Sequence, residues 1–377
     1  MRFPPTTLTL PERRLRDDVR GFLAAELAGR DIVGSDMSGG RDPEFSRRLA
    51  AKGWVGMSIP AEYGGRGGTA VERFVVVAEL LSAGAPVAAH WVGDRQTAPT
   101  ILAFGTEEQK RRFLPLIARA ECTFCIGMSE PDSGSDLASV RTAGVRDDGG
   151  WRVSGTKVWT SGAHQQDYAL TLVRTSPSGQ DRHAGLSQFL IDLRGPGITI
   201  SPIISLDGTH HFNEVVFDDV FVPDELVLGD VGGGWHQVTS ELAYERSGPD
   251  RWLSTYGLFR SFLDAYGEHA SDSVRDALGR ITARYRTLHN LSLSVARMID
   301  GGSAPVAEAA LVKDLGTTFE KEVAETVRSL AGVAPDPDAA DRFSRELAAA
   351  TLMLPGLTIR GGTTEILRSV AARELIR

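Results

Sequence analysis

Three short stretches combine small hydroxyls, an aromatic ring and bare backbone in ways that suit a flat, polar ligand. "GMSEPDSGSDL" at 127–137 sets Ser129 and Ser135 around a Pro-Gly turn leaving a strand-like run, where free amides and hydroxyls can hold a polar group. It is not a hydrolase nucleophile elbow, because Pro131 stands where the last glycine should be. "GTKVWTSGA" at 155–163 puts Trp159 and Ser161 on one strand face by simple alternation, an aromatic wall beside a hydrogen-bond donor. "TIRGGTTEILR" at 358–368 breaks an apolar stretch with Gly361 and Gly362 and hands over to a helical pattern. A glycine pair fits positive φ or the close approach of another molecule; an interhelical turn capped by Thr363 or Thr364 explains the same residues. Each stretch alone is compatible with ordinary packing.

Other reactive types are sparse. Cys122 and Cys125 are the only cysteines, too few for a disulfide framework or a complete zinc site. A redox pair would open a helix, whereas these sit in an apolar, strand-like run where i and i+3 face opposite ways. His210 and His211 have no further ligand at helical or strand spacing, and "DGTHHFNE" reads as a polar turn.

The elements that must carry these stretches follow from the hydrophobic period, which changes twice. Leu15, Val19, Phe22, Leu23 and Leu27 make one helical stripe closed by Gly29, "VERFVVVAELLSAG" is a more buried helix, and Thr106 with Gln109 has capping-box spacing. "EYGGRGG" lacks the spacing of a dinucleotide fold and reads as a loop. From about 121 to 226 short alternating runs predict a small antiparallel barrel or sandwich, with a hairpin at "RDDGGWRV". After three glycines at 232–234 the helical period returns in long runs with short links, an antiparallel bundle. The expected class is α+β: an N-terminal α-helical domain at 1–120, a middle β domain at 121–226 and a C-terminal four-helix-bundle domain at 227–377.

Composition narrows the partners. The 377 residues are 42% hydrophobic and carry 41 basic against 49 acidic residues, a net charge of −8 with both signs scattered. That disfavours nucleic acid or an anionic membrane as main partner, and leaves any anionic ligand to local arginines or backbone amides. The N-terminus has no apolar run of signal-peptide length and no stretch is long and apolar enough to span a membrane, so a cytoplasmic location is expected.

Taken in order, "GMSEPDSGSDL", "VWTSG", "FNEVVFDDVFVP" and "GGTTEILR" resemble the acyl-CoA dehydrogenase family over essentially the whole chain. The resemblance implies an FAD-dependent enzyme that removes the α and β hydrogens of an acyl-CoA thioester. By likeness Ile126, Met128 and Ser129 contact the flavin, Trp159 flanks its ring system and Ser161 bonds near N5. Gly362, Thr363 and Glu365 line flavin and thioester, and Ser135 lies near the phosphates. Many members carry the catalytic Glu immediately before the Gly-Thr of the last motif, where this chain has Gly361. Others place it on the helix after the β domain, and "ELAYERSG" supplies Glu245 there, followed by Arg246 for the CoA moiety or the site geometry. Read from its residues alone, Glu245 is one charge of a solvated helix face.

The same resemblance bears on substrate and partners. Gly361 with the base on the earlier helix is similar to bacterial enzymes acting on sterol side-chain CoA esters, and implies a thin wall that admits bulky or branched acyl groups. An electron-transfer flavoprotein or similar acceptor is implied. Homotetrameric members hold a neighbour's flavin through an "R-x-x-F-G"-like and a "Q-x-x-G-G" segment; neither is present here, Arg260 standing too early and Gly332 alone. That implies an oligomer with a homologous, non-identical subunit, a drifted homo-oligomer being the alternative. Two rival readings are a paralogous subunit without catalysis and a flavin oxidase or monooxygenase acting on a non-CoA substrate.

Overall fold

The computed structural model describes residues 1–34 and 40–376; the side chains of 241–245, 375 and 376 lie outside that description. In chain order the described helices are α1 (Leu10–Glu26), α2 (Pro43–Ala51), α3 (Ala70–Ser82), α4 (Ala98–Phe104), α5 (Glu107–Ala118), α6 (Gly234–Glu245), α7 (Tyr256–Tyr266), α8 (Asp272–Asp300), α9 (Val306–Ala331), α10 (Arg342–Leu357) and α11 (Thr364–Ile376). The strands, all between α5 and α6, are β1 (Phe124–Gly127), β2 (Ala143–Asp147), β3 (Gly150–Lys157), β4 (Tyr168–Arg174), β5 (Leu186–Asp192), β6 (Ile198–Ile204), β7 (His210–Pro223) and β8 (Val227–Leu228). This is the α, β, α order expected from the period changes.

Local chemistry sets the boundaries. Thr69 with Glu72, and Thr106 with Gln109, form reciprocal capping boxes at the starts of α3 and α5. The β2–β3 hairpin pairs Asp147 with Gly150, leaving Asp148 and Gly149 as a two-residue turn in which Gly149 takes φ +70°.

The chain divides into two compact units. The first comprises Met1–Arg41, Thr69–Val87 and Ala243–Arg377. In it α9 packs on α8, α10 and α11, α10 on α7, and α3 on α1 and α8. Its core includes an edge-on contact between Tyr285 and Phe319, centroids 4.7 Å apart. The second comprises Asp42–Gly68 and Ala88–Leu242 and contains the whole sheet. There Phe113 of α5 meets Phe124 of β1 and Tyr168 of β4, so helix and sheet share one apolar core.

The sheet corrects one expectation: it is neither a closed barrel nor a sandwich. Among the described residues eight strands form one sheet along β6-β7-β3-β2-β4-β5-β8, with β1 beside β4, and the two ends of that path do not pair with each other. Nor is it purely antiparallel, since β1 runs parallel to β4 and a single parallel pair, Ala143 with Arg174, links β2 to β4. Alternation reveals strands but not which edges meet, because closure is a long-range pairing decision.

Candidate functional site

In the second unit two of the motifs are stitched together by backbone. The ladder of β1 ends at Gly127 and that of β3 at Lys157. Beyond them the carbonyl of Ser129 accepts from the amide of Val158 at 2.9 Å, and the carbonyl of Met128 accepts from Lys157 Nζ at 3.1 Å. Met128 and Ser129 thus lie alongside the residues immediately before Trp159.

That junction rests on a buried ion pair. Lys157 is 0% exposed and donates to Glu130 Oε1 at 2.8 Å. The Glu130 carboxylate also accepts from the amides of Arg141 at 2.6 Å and Thr142 at 2.8 Å. Burial works to raise the Glu130 pKa, but Lys157 and these amides outweigh it and hold the carboxyl below its ordinary range. Burial pulls the Lys157 pKa down to about 8, against the opposing pull of the Glu130 carboxylate. One buried cation thereby fixes both the strand exit and the 127–131 turn.

Trp159 is not on a strand face. The strand has ended two residues earlier, and Trp159 takes φ +59°, a left-handed conformation that costs a bulky residue about 1–3 kcal/mol. Alternation fails here because the ladder stops before the motif does. Trp159 is 59% exposed, its neighbour Thr160 is buried and Ser161 half-buried. An exposed indole beside polar main chain fits the face and edge of a flavin ring, so the residues present suit that group.

In the first unit the Gly-Gly segment is a turn between α10 and α11 with both glycines at positive φ, +67° at Gly361 and +96° at Gly362. Thr363 precedes the first helical residue, and its carbonyl accepts from the amide of Leu367 at 3.0 Å, as an N-cap requires. Beneath the turn lies a cluster of buried cations. A Cβ built on Gly361 would fall 2.8 Å from Arg251 Nη2, and Arg251, 1% exposed, is ion-paired to Asp250 at 2.9 Å. Lys313 of α9 donates to the carbonyls of Gly362 at 2.5 Å and Thr358 at 3.3 Å. Burial first, then Arg251, Arg360 and Arg246, brings the Lys313 pKa down to about 7. Arg246 is buried, with its guanidinium 3.5 Å from where a Cβ on Gly362 would sit.

The remaining candidates are dispersed. Ile126 is half-buried against the sheet core and Met128 against a smaller cluster around Leu172 and Leu186. Ser135 is exposed on the 130–136 turn. Glu365 is exposed in the first turn of α11, where its own backbone amide and the Thr363 side chain hold its carboxyl below the ordinary value. Glu245 is the last residue of α6, and its side chain lies outside the described residues. Cys122 and Cys125 are free and buried, and burial pushes both thiols up to about 12, which suits structural rather than redox cysteines. Among the described residues no cluster of His, Cys, Asp or Glu could hold a metal ion, and no helix is long and apolar enough to cross a membrane.

Sequence reasoning missed Glu130, Lys157, Arg251 and Lys313. A signal existed for the lysines: Trp151, Val153 and Lys157 share one strand face, and Lys313 lies on the helical stripe with Ala309, Thr317 and Glu320, all buried.

Comparison with known proteins adds relatives to this geometry. Sequence models of the acyl-CoA dehydrogenase N-terminal, middle and C-terminal domains match residues 9–121, 125–220 and 232–376. The chain is 34% identical to acyl-CoA dehydrogenase FadE29 of Mycobacterium tuberculosis, covering 97% of this chain and 96% of that one. It is 36% identical to acyl-CoA dehydrogenase FadE34 of the same organism over 89% of this chain, but spans only 46%, about half, of FadE34. Among solved structures, the Tcur3481-Tcur3483 steroid ACAD superimposes with a TM-score of 0.86 at 28% identity, covering 98% of each chain. The ChsE4-ChsE5 complex from Mycobacterium tuberculosis gives 0.84 at 30% identity, covering 99% and 97%. With family models accounting for all three of its segments and relatives at this identity, the chain belongs to the acyl-CoA dehydrogenase family, a family of flavoprotein oxidoreductases.

Proposed function

We propose that this chain performs FAD-dependent α,β-dehydrogenation of an acyl-CoA thioester with a bulky or branched acyl group. The observation that carries the reading is the stitching of the 127–131 turn to the exit of β3 through Lys157 and Val158, which supports a single polar platform beside the Trp159 ring. Ile126, Met128, Ser129, Trp159, Ser161, Gly362, Thr363 and Glu365 are assigned to FAD. When bound, FAD supplies the acceptor for the hydride that leaves the β carbon. Glu245 is assigned as the base for the α proton, and Ser135, Arg246 and Gly361 to the acyl-CoA.

An α proton beside a thioester is a weak acid, so its removal needs a base over the α carbon and donors at the carbonyl oxygen. The Cβ position of Gly361 is filled by the buried Arg251 guanidinium, so the bulky-substrate assignment rests on the relatives and not on space vacated at that glycine. Two solved relatives, the Tcur3481-Tcur3483 steroid ACAD and the ChsE4-ChsE5 complex, support a bulky substrate and a hetero-oligomer with a homologous subunit. An electron-transfer flavoprotein or similar acceptor, a cytoplasmic location and functional segments at 1–120, 121–226 and 227–377 belong to the same reading.

The test is to express the chain alone and with homologous partners, then record the visible spectrum, FAD per chain and turnover of an acyl-CoA panel with an artificial acceptor. A flavin band and preference for bulky esters are expected. Faster turnover of straight medium-chain esters would refute the substrate assignment, and a colourless, inactive protein in every combination would refute the function.

A further inference from the structure

We propose that Asn213 is the positioning residue of the 159–161 segment, and that His164 and His210 fix the orientation of its side-chain amide. Asn213 lies near the start of β7 and is 0% exposed. It makes three hydrogen bonds to one residue: its amide donates to the carbonyl of Thr160 at 3.0 Å, its Nδ2 donates to the same carbonyl at 2.9 Å, and its own carbonyl accepts from the amide of Thr160 at 3.1 Å. Thr160 is the residue between Trp159 and Ser161.

Donor and acceptor chemistry then fixes the rest. A carbonyl only accepts, so the NH2 of Asn213 must face Thr160 and Oδ1 must point the other way. Two imidazole nitrogens meet that oxygen, His210 Nε2 at 2.7 Å and His164 Nδ1 at 3.0 Å. Both must carry a proton, which in neutral rings means opposite tautomers, Nε2–H on His210 and Nδ1–H on His164, in two rings stacked 3.8 Å apart. The neighbours complete the clamp: the carbonyl of His211 accepts from the amide of Gly162 at 2.8 Å, and Phe212 sets its ring edge-on to Trp159 at 5.7 Å.

Every residue of "HHFN" at 210–213 therefore holds some part of 159–162 or the side chain that does so. The arrangement answers a specific need. Trp159 has a left-handed φ that its side chain disfavours, and such a conformation persists only where the surroundings over-determine it. The three bonds to Thr160 supply that determination one residue away.

The consequence for flavin binding rests on the proposed function, so the experiment reads the clamp separately. Hydrogen exchange of the full-length protein, in complex with its partner where one is needed, is measured over peptides covering 158–163 in wild type, Asn213→Ala and His210→Phe. FAD affinity and the flavin spectrum are recorded on the same samples, and His-selective 15N spectra report the tautomers. We expect Asn213→Ala to raise exchange over 158–163 by about tenfold or more with the α5 peptides unchanged. FAD affinity should fall by a similar factor with a shifted flavin band, and protons should appear on His164 Nδ1 and His210 Nε2. Should Asn213→Ala not fold, His210→Phe, which keeps a stacked ring and removes one donor, should still raise local exchange by about threefold at an unchanged melting temperature. Unchanged exchange over 158–163, or the opposite tautomers, would overturn the clamp. Raised exchange with wild-type FAD affinity would overturn its role toward the flavin, and a wild type that binds no FAD would overturn that role and the function reading while the exchange and tautomer data still decide the clamp.

Discussion

The guanidinium of Arg251 occupies the space in which a side chain at Gly361 would begin, 2.8 Å from an ideal Cβ. Arg251 is buried and ion-paired to Asp250, so it cannot swing aside as a surface arginine would. The glycine therefore answers to two demands at once, positive φ and an occupied neighbour.

Gly361→Ala should accordingly be costly although only one methyl is added. A left-handed alanine costs about 1–2 kcal/mol, and crowding a fixed guanidinium adds about 1–3 kcal/mol. Urea unfolding should show a loss of about 2–5 kcal/mol from these two causes together. A change below about 0.5 kcal/mol, the size of an ordinary surface substitution, would mean the turn rearranges freely.

The same contact bears on the base. Under the proposed assignment, Glu245→Gln keeps shape and removes the proton acceptor, so dehydrogenation should drop by orders of magnitude with flavin content unchanged. Adding Gly361→Glu should not rescue it, because the new carboxylate would start against Arg251 and pair with it. Stopped-flow reduction of the bound flavin by substrate separates the cases. Retained reduction in Glu245→Gln would move the base elsewhere, and recovery in the double variant would contradict the geometry of the turn.

What was legible in the sequence depended on whether the signal is local. The Thr106–Gln109 capping box, the Asp148-Gly149 hairpin and the two changes of period are set by neighbours within a few residues, and the structure has them where the pattern placed them. The openness of the sheet and the parallel pairing of β1 with β4 are long-range choices, and no local period encodes them. Motif spacing marked Trp159, yet alternation assigned it to a strand that had already ended at Lys157. Asn213, Arg251 and Lys313 were passed over because a polar residue in a sequence reads as solvated until its partners are known. Buried periodicity could have flagged Lys157 and Lys313, whereas nothing short of the fold brings Arg251 to Gly361.

The Lys157–Glu130 pair yields a double-mutant cycle. Lys157→Met leaves the Glu130 carboxylate buried with only backbone amides, and losing one partner of a buried pair costs about 3–5 kcal/mol. Glu130→Gln in that background removes the stranded charge and should recover part of the loss. Because the Glu130 pKa is lowered on folding, its contribution is present above the ordinary carboxylate value and lost as pH falls through the folded one. Wild type should therefore lose more stability in acid than Glu130→Gln does. Additive effects of the two substitutions would remove the pair from the account.

Lys313 gives the opposite pH dependence. Its ordinary pKa is 10.5 and burial beside Arg251, Arg360 and Arg246 brings it to about 7, with Asp314 as the opposing charge. Below pH 7 both folded and unfolded chains carry the proton, and the fold bears the full penalty of a buried cation among cations. Between 7 and 10.5 only the unfolded chain keeps it, so stability attributable to this group rises with pH, by up to about 1.4 kcal/mol per unit. The neutral amine still donates, so the bonds to the Gly362 and Thr358 carbonyls persist through the change. Urea unfolding of wild type and Lys313→Met at pH 6, 7.5 and 9 should show the difference moving in favour of wild type with each step. A constant difference across that range would mean that Lys313 keeps its proton in the fold, and that the carboxylates near it outweigh the three arginines.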